Sequence, residues 1–463
     1  MAYHISFGIL LQRRMMSVSR LWKQLWAIAA PIALQNLILS SINLVDVFMI
    51  SRLGDIFIAG AGIANQIYFL FILTLFGINS GGAIFIAQFW GCRDESNIYR
   101  TVGLALLLSQ GAALLFFAFA FFAPERLIAL YSPDPAVISA GASYLKTVSW
   151  SYFVTALSFT FSMALRAVAK PLASLYASVA CLLVNIFLNY VLIFGHFGFP
   201  ALGLPGAALA TLAARMVESA LLLLFIRWKQ IPVLAPARAL FSLTRPFITR
   251  VLAISLPVML NEILWSLGVT LYHVIYARLG TKAIASIQVE NSVERLAFVF
   301  FIGIGAATAT LIGHSIGRGD LEETKGLGFK LSRFSFLLGL GLGTILALSA
   351  SLIFSLFDIT PEVRDNAVLL LRLYGFILPF RAFNVTNVVG VFRGGGDTRY
   401  CLFVDLAALW IVGLPMAALA AFLLHLPLPF VFMGAGLEEL AKSWVAFRRL
   451  RSGKWIHSLS SDG

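Results

Sequence analysis

Asp46 stands in the apolar stretch Ile42-Asn43-Leu44-Val45-Asp46-Val47. A carboxyl group there has little water, and its neutral form gains, so it can take up a proton. The plainer alternative is a carboxylate near an interface that reaches out to water. Asn185 and Asn189 are four apart and share one helix face. Their amides can hydrogen-bond Asp46 or ligate Na+ through carbonyl oxygens; they can equally bind one helix to another. Glu262 is a lone acid within Leu256–Leu267, five residues after Pro257. Asp397 follows Arg393 by four, a spacing that permits a helical ion pair, while Arg393-Gly394-Gly395-Gly396-Asp397 also reads as a bent turn. Glu290, Asn291, Glu294 and Arg295 form a polar cluster in which Glu290 and Glu294 share a face. They either line a cleft and attract cations or pair with Arg295 or Arg278. Asp405, Glu218, Arg372 and Arg381 are expected to pair between helices, and Glu438 with Lys442 along one helix. This chemistry is that of binding and releasing H+ or Na+, with Glu262 and Asp397 as the candidate Na+ ligands. It is not that of an enzyme. The six histidines are scattered, with His314 the one notable mid-chain case, and Cys92, Cys181 and Cys401 have no metal-ligand spacing. Gly394–Gly396 is not followed by Lys-Ser or Lys-Thr, so no phosphate loop forms. No cofactor is expected beyond the coupling ion.

The elements that must hold these groups are membrane helices. Of 463 residues 60% are hydrophobic and 12% charged, and the mean hydropathy is +0.91. A soluble chain carries about a quarter charged residues. A helix needs ~20 apolar residues to cross the hydrocarbon core, and such runs recur at 25–51, 57–90, 98–123, 135–165, 170–195, 202–227, 249–277, 283–316, 328–357, 362–392, 399–424 and 427–447. Stretches such as Leu104–Phe122 lack the ten-residue alternation of barrel strands. The formal charge of +13 does not point to nucleic acid, because Lys and Arg gather in the links. With the N-terminus inside, 23 of them fall on the cytoplasmic side and 5 on the other, so both termini are expected to be cytoplasmic. Translation is read as starting at Met15 or Met16, and no removable signal peptide is seen.

The chain also repeats. A shift of 226 residues lays Pro31 on Pro257, Arg52-Leu53-Gly54 on Arg278-Leu279-Gly280, Asn65 on Asn291, Gly77-Ile78 on Gly303-Ile304, and Gly91 and Asp94 on Gly317 and Asp320. Leu and Ala can coincide by chance in apolar segments; Pro, Arg, Asn, Gly and Asp together do not. The expected organisation is a cytoplasmic segment 1–24, a six-helix bundle 25–227, a cytoplasmic linker 228–248 holding Pro232, Pro236 and Pro246, a second bundle 249–448 and a cytoplasmic tail 449–463. Six is even, so the halves share orientation and a central cleft can open to either side by rocking. Pro31 and Pro257 kink matching helices. Forty Phe and nine Met offer adaptable walls for flat cations.

Several segments carry a family likeness. Pro31, Asn43-Leu44-Val45-Asp46 and Arg52-Leu53-Gly54 look like a first-span signature. Val184-Asn185-Ile186-Phe187-Leu188-Asn189-Tyr190-Val191-Leu192-Ile193-Phe194-Gly195, then Gly203-Leu204-Pro205-Gly206-Ala207-Ala208, then Phe392-Arg393-Gly394-Gly395-Gly396-Asp397-Thr398 and Ser452-Gly453-Lys454-Trp455, follow in order. The chain resembles the multidrug and toxin extrusion (MATE) transporters over nearly its whole length. The resemblance implies an all-α inner-membrane protein, V-shaped, with twelve transmembrane helices in two six-helix bundles. It implies an antiporter that exports amphiphilic, often cationic, small molecules against inward H+ or Na+; nothing in the sequence demands an obligate partner, and a monomer is expected. It also puts the first-half coupling carboxylate at Asp46 and further cation-binding acids in the seventh and tenth spans, near Glu262 and at Asp397. The seventh-span acid of the family often stands about a turn beyond Glu262, and some relatives have Asp where this chain has Asn189. A flippase for lipid-linked precursors, from a related lineage, is the rival reading; its anionic cargo would call for a cleft lined by Arg and Lys.

Overall fold

The computed structural model describes residues 2–459, with side chains from Arg20 onward. It is all helix apart from one isolated bridge, Gly396 to Ile456, among those residues. Twelve long helical segments are α1 (Ala2–Ser51), α2 (Asp55–Cys92), α3 (Glu95–Phe122), α4 (Pro135–Val148 continuing as Ser151–Ala167), α5 (Leu172–Phe194), α6 (Leu204–Trp228), α7 (Arg245–Arg278), α8 (Thr281–Gly317), α9 (Leu321–Ser355), α10 (Pro361–Phe392), α11 (Thr398–Leu423) and α12 (Leu428–Ser452). Ten are long and apolar enough to cross a membrane, and α4, bent by 52° at Ser149-Trp150, makes an eleventh. The twelfth, α12, carries Glu438, Glu439 and Lys442 in mid-helix, which a lipid-facing span would not tolerate but a cavity wall does. Twelve membrane helices result.

Local chemistry sets the ends. Asp94 caps α3 by accepting from the Asn97 amide at 3.1 Å, and Asp134 caps α4 through the Ala136 amide at 2.8 Å, with Pro135 in the first turn. The α1–α2 and α7–α8 turns repeat in backbone as they do in sequence: Gly54 and Gly280 have φ of +114° and +112°, a region that residues with a Cβ rarely enter. Pro31 and Pro257 lie inside α1 and α7, and α10 contains Pro379 and widens into a π-helical stretch, Thr386–Phe392. Leu348, Ile411 and Phe403 are 80%, 72% and 68% exposed and belong to the lipid-facing surface.

The two repeats are not simply side by side. Leu25, Ile28 and Ile32 of α1 sit in a core with Phe301, Leu331 and Leu371 of the second repeat. In the corresponding exchange, Val251 of α7 joins Ile84, Phe89 and Leu165 of the first. Here α2 and α8 meet backbone to backbone. A Cβ built on Gly317 would lie 2.0 Å from the Gln88 carbonyl oxygen and 2.9 Å from the Gly91 Cα. A Cβ on Gly313 would lie 2.6 Å from the Ala87 Cβ, and one on Gly303 2.6 Å from the Ala29 carbonyl oxygen. His314 Nε2 lies 2.7 Å from the Ala167 carbonyl oxygen, across the repeats. The same end holds the C-terminal tail. Trp455 is fully buried there, His457 N donates to the Gly395 carbonyl at 2.8 Å, and Leu459 N donates to Gln88 Oε1 at 2.8 Å. Residues 449–459 are thus no free tail; α12 runs to Ser452 and the rest is packed.

Candidate functional site: a cavity between the two repeats

Beyond that contact the repeats diverge around a cavity of about 760 Å³. Residues of α1, α2, α4, α6, α7, α8, α10, α11 and α12 line it, so both repeats contribute walls. Gln35, Tyr68, Phe159 and Arg215 face it from the first repeat, and Glu262, Trp265, Glu294, Phe298 and Arg381 from the second. Among the lining residues the second repeat supplies five carboxylates, Glu262, Glu294, Asp405, Glu438 and Glu439, against three cations, Arg381, Arg393 and Lys442. The first repeat supplies Glu218 with Arg166 and Arg215. The excess of acid is on one wall.

Asp46, Asn185 and Asn189 do come together. Asn189 Nδ2 donates to Asp46 Oδ1 at 2.5 Å and approaches Asn185 Oδ1 at 3.2 Å. Asp46 is 7% exposed and both asparagines are fully buried. The four-residue spacing along α5 puts both amides towards α1. The Asn185 amide nitrogen and the Asn189 amide oxygen have no partner, so the cluster is only half satisfied. It lies inside the first repeat, not on the cavity wall.

Glu262 lines the cavity and pairs with Arg393 at 2.8 Å. Of the two readings of Arg393 and Asp397, the bent turn is the one found, and the helical ion pair does not form. Gly396, at φ +83°, ends α10: its amide donates to the Arg393 carbonyl and the Asp397 amide to the Phe392 carbonyl, a Schellman turn that takes Asp397 off the helix. Asp397 binds Arg449 at 2.7 Å, with His457 at 3.7 Å, on the tail side of the turn. Glu262 and Asp397, expected to share Na+, are held by different arginines and form no common site. Among the described residues no group of three or more His, Cys, Asp or Glu is placed to hold a metal.

In the polar cluster of α8, Glu294 bonds Arg381 of α10 at 2.5 Å and not Arg295 or Arg278. Asn291 lines the cavity, its amide 3.5 Å from His273 Nε2. Glu290 is fully buried behind the wall. The remaining charges do not all pair between helices as expected: Glu218 is bridged by Arg215 of its own helix at 2.9 Å. Lys442 binds Asp405 at 2.8 Å, not Glu438, whose carboxylate accepts from the Tyr272 hydroxyl at 3.0 Å. Arg372 reaches Ser351. One assembly had no sequence signal. Arg166 donates to Gln35 Oε1 at 2.8 Å, Gln35 Nε2 donates to Ser178 at 3.1 Å, Ser178 donates to Glu218 Oε1 at 2.8 Å, and Arg215 closes on Glu218 at 2.9 Å. Five residues from four helices build it; only Arg215 and Glu218, three apart on α6, share a helix, and the links between helices leave no mark in the sequence.

The family model MatE matches twice, at residues 31–191 and 257–419, and the two matches begin 226 residues apart as the internal repeat does. The chain belongs to the MatE family. Relatives of MatE type align end to end with it: it is similar to YisQ of Bacillus subtilis, described as an uncharacterized transporter, at 24% identity over 93% of this chain and 94% of that one. It is also similar to a probable multidrug resistance protein NorM of Thermotoga maritima, at 23% identity over 95% and 94%. A crystal structure of a MATE protein in its bent conformation has the same fold, with a TM-score of 0.85, 19% identity, and coverage of 93% and 96%. The MatE chain is thus a multi-pass membrane transporter of small molecules, not an enzyme.

Proposed function

We propose that the protein is a secondary antiporter of the inner membrane that exports amphiphilic, cationic small molecules, as in multidrug efflux, against inward H+ or Na+ by alternating access. One observation carries the reading: a single cavity whose two walls come from two repeats, with aromatic lining and an excess of carboxylates on the second. Flat cations gain from aromatic faces and from net negative charge. An anionic lipid headgroup would be repelled by the same wall, so the flippase reading is the weaker. The transport unit is a single chain, because one polypeptide supplies both walls.

The charge bias of the links puts both termini in the cytoplasm. The tail-side contact is then the cytoplasmic gate, closed in this conformation, and the cavity belongs to an outward-facing state. Asp46, with Asn185 and Asn189, is the proton-coupling cluster of the first repeat, and Glu262 binds substrate or ion from the second. Occupancy of Asp46 by an ion and of the cavity by drug favour opposite orientations, which couples the two through one equilibrium. The test is uptake of a fluorescent cationic dye into proteoliposomes under an imposed pH gradient, and then under a Na+ gradient. One of them is expected to drive accumulation in the wild type, with the driven component lost in Asp46→Asn. Accumulation that ignores both gradients would remove the antiport reading.

A further inference from the structure

The second repeat holds an acidic group that the lining does not reach. Glu290 is fully buried in α8, and neither of its carboxylate oxygens has a hydrogen-bond partner. The Tyr374 hydroxyl beside it, on α10, is also buried and unpartnered. An ionised carboxylate in such a place costs far more than a neutral one. Packing does not explain the residue: the register of the repeat puts Ala64 at the matching position of the first half, where a methyl group suffices.

The groups facing Glu290 come from every neighbouring helix. Within electrostatic reach of it lie Tyr276 on α7, Glu294 on its own helix, and Tyr374 and Arg381 on α10. From α12, Glu438 and Glu439 face the same two tyrosines. Arg381 is the one cation in this set, and it is engaged by Glu294 at 2.5 Å with Glu439 at 4.0 Å. No hydrogen bond joins it to Glu290. With both oxygens buried and neither accepting a hydrogen bond, the neutral, protonated carboxyl is the form that fits.

We infer that Glu290 is a second proton-binding site, buried in the wall of the second repeat and linked to the cavity through Glu294 one helical turn away. The proton sits on one carboxyl oxygen in the state described here. A substrate cation arriving at Glu294 competes with Arg381 and adds positive charge beside Glu290; the O–H bond then breaks, and the proton leaves as hydronium into cavity water while the carboxylate stays. The coupling rests on the antiport reading above, but the site itself does not.

Infrared difference spectra of the purified full-length chain in nanodiscs, between acid and neutral pH, test it directly. At neutral pH the wild type is expected to keep a protonated-carboxyl C=O stretch that Glu290→Gln lacks and Glu290→Asp moves. Glu294→Gln and His273→Gln are expected to retain it, the latter excluding the one nearby imidazole. Addition of tetraphenylphosphonium in weak buffer is expected to release protons from the wild type and fewer from Glu290→Gln. A neutral-pH band identical in wild type and Glu290→Gln would overturn the site, whatever the dye assays show. A band that behaves as expected alongside gradient-independent dye uptake would leave the site standing and remove the antiport reading instead.

Discussion

The Arg393 guanidinium is 2% exposed, and its Nε and Nη1 have no partners; Glu262 is the single carboxylate that neutralises it at hydrogen-bond distance. Removing one member of a buried ion pair leaves the other charge stranded, at a cost of about 3 kcal/mol. Glu262→Gln is therefore expected to lower the unfolding midpoint in detergent clearly, and Glu262→Leu with Arg393→Met to recover most of the loss. Equal midpoints for Glu262→Gln and wild type would show that cavity water already screens the pair. Side chains whose roles follow from local spacing were legible in sequence: Asn185 and Asn189 share a helix face, and that face meets Asp46. Partners fixed by contacts between helices were not. Nothing in the order of residues says that Asp405 takes Lys442 from Glu438, or that Arg381 takes Glu294 from Arg295. Glu290 was legible as a membrane acid, but its isolation depends on Arg381 of α10 and Lys442 of α12 being engaged by other carboxylates.

At the scale of helices, the contact between α2 and α8 rests on missing side chains. A methyl at position 317 would meet backbone of α2, which cannot move aside as a flexible side chain can. Overpacking of this kind costs about 1–3 kcal/mol, and a difference of about 1.4 kcal/mol changes a two-state ratio tenfold. Gly317→Ala is expected to disfavour the closed tail-side contact and so to bring the far ends of the repeats together. Spin labels at positions 55 and 281, where α2 and α8 begin on the exposed cavity side, report this as a shift to shorter distances. Gly62→Ala and Gly341→Ala, where a Cβ meets nothing within 4 Å, should leave the distribution unchanged. An unmoved distribution in Gly317→Ala would mean that the helices absorb the methyl by sliding. The matching glycines at 91 and 317 announced a shared constraint in the sequence. That the two meet each other was not announced, because pairing across a pseudo-twofold is a property of the assembled halves.

For the whole molecule, the segment after α12 joins what the repeats keep apart. Trp455 fills a pocket with Phe392, Cys401 and Leu450 of the second repeat. Gln88 of the first repeat donates from Nε2 to the Gly394 and His457 carbonyls, at 3.3 and 3.1 Å, and accepts from the Leu459 amide. The composition of 449–463, basic and polar, gives no hint of this, since it depends on backbone groups and one tryptophan. Two changes separate anchoring from bridging. Trp455→Ala empties a buried site and is expected to cost about 3 kcal/mol of stability, seen as a lower unfolding midpoint, because the second repeat loses part of its core. Gln88→Ala leaves that core intact but cuts the polar link between repeats. It is expected to hold the midpoint near that of the wild type while shifting the 55–281 distance distribution in the same direction as Gly317→Ala. If Gln88→Ala leaves that distribution as it is, the tail merely rides on the second repeat, and the tail-side closure is the work of the glycine contact alone.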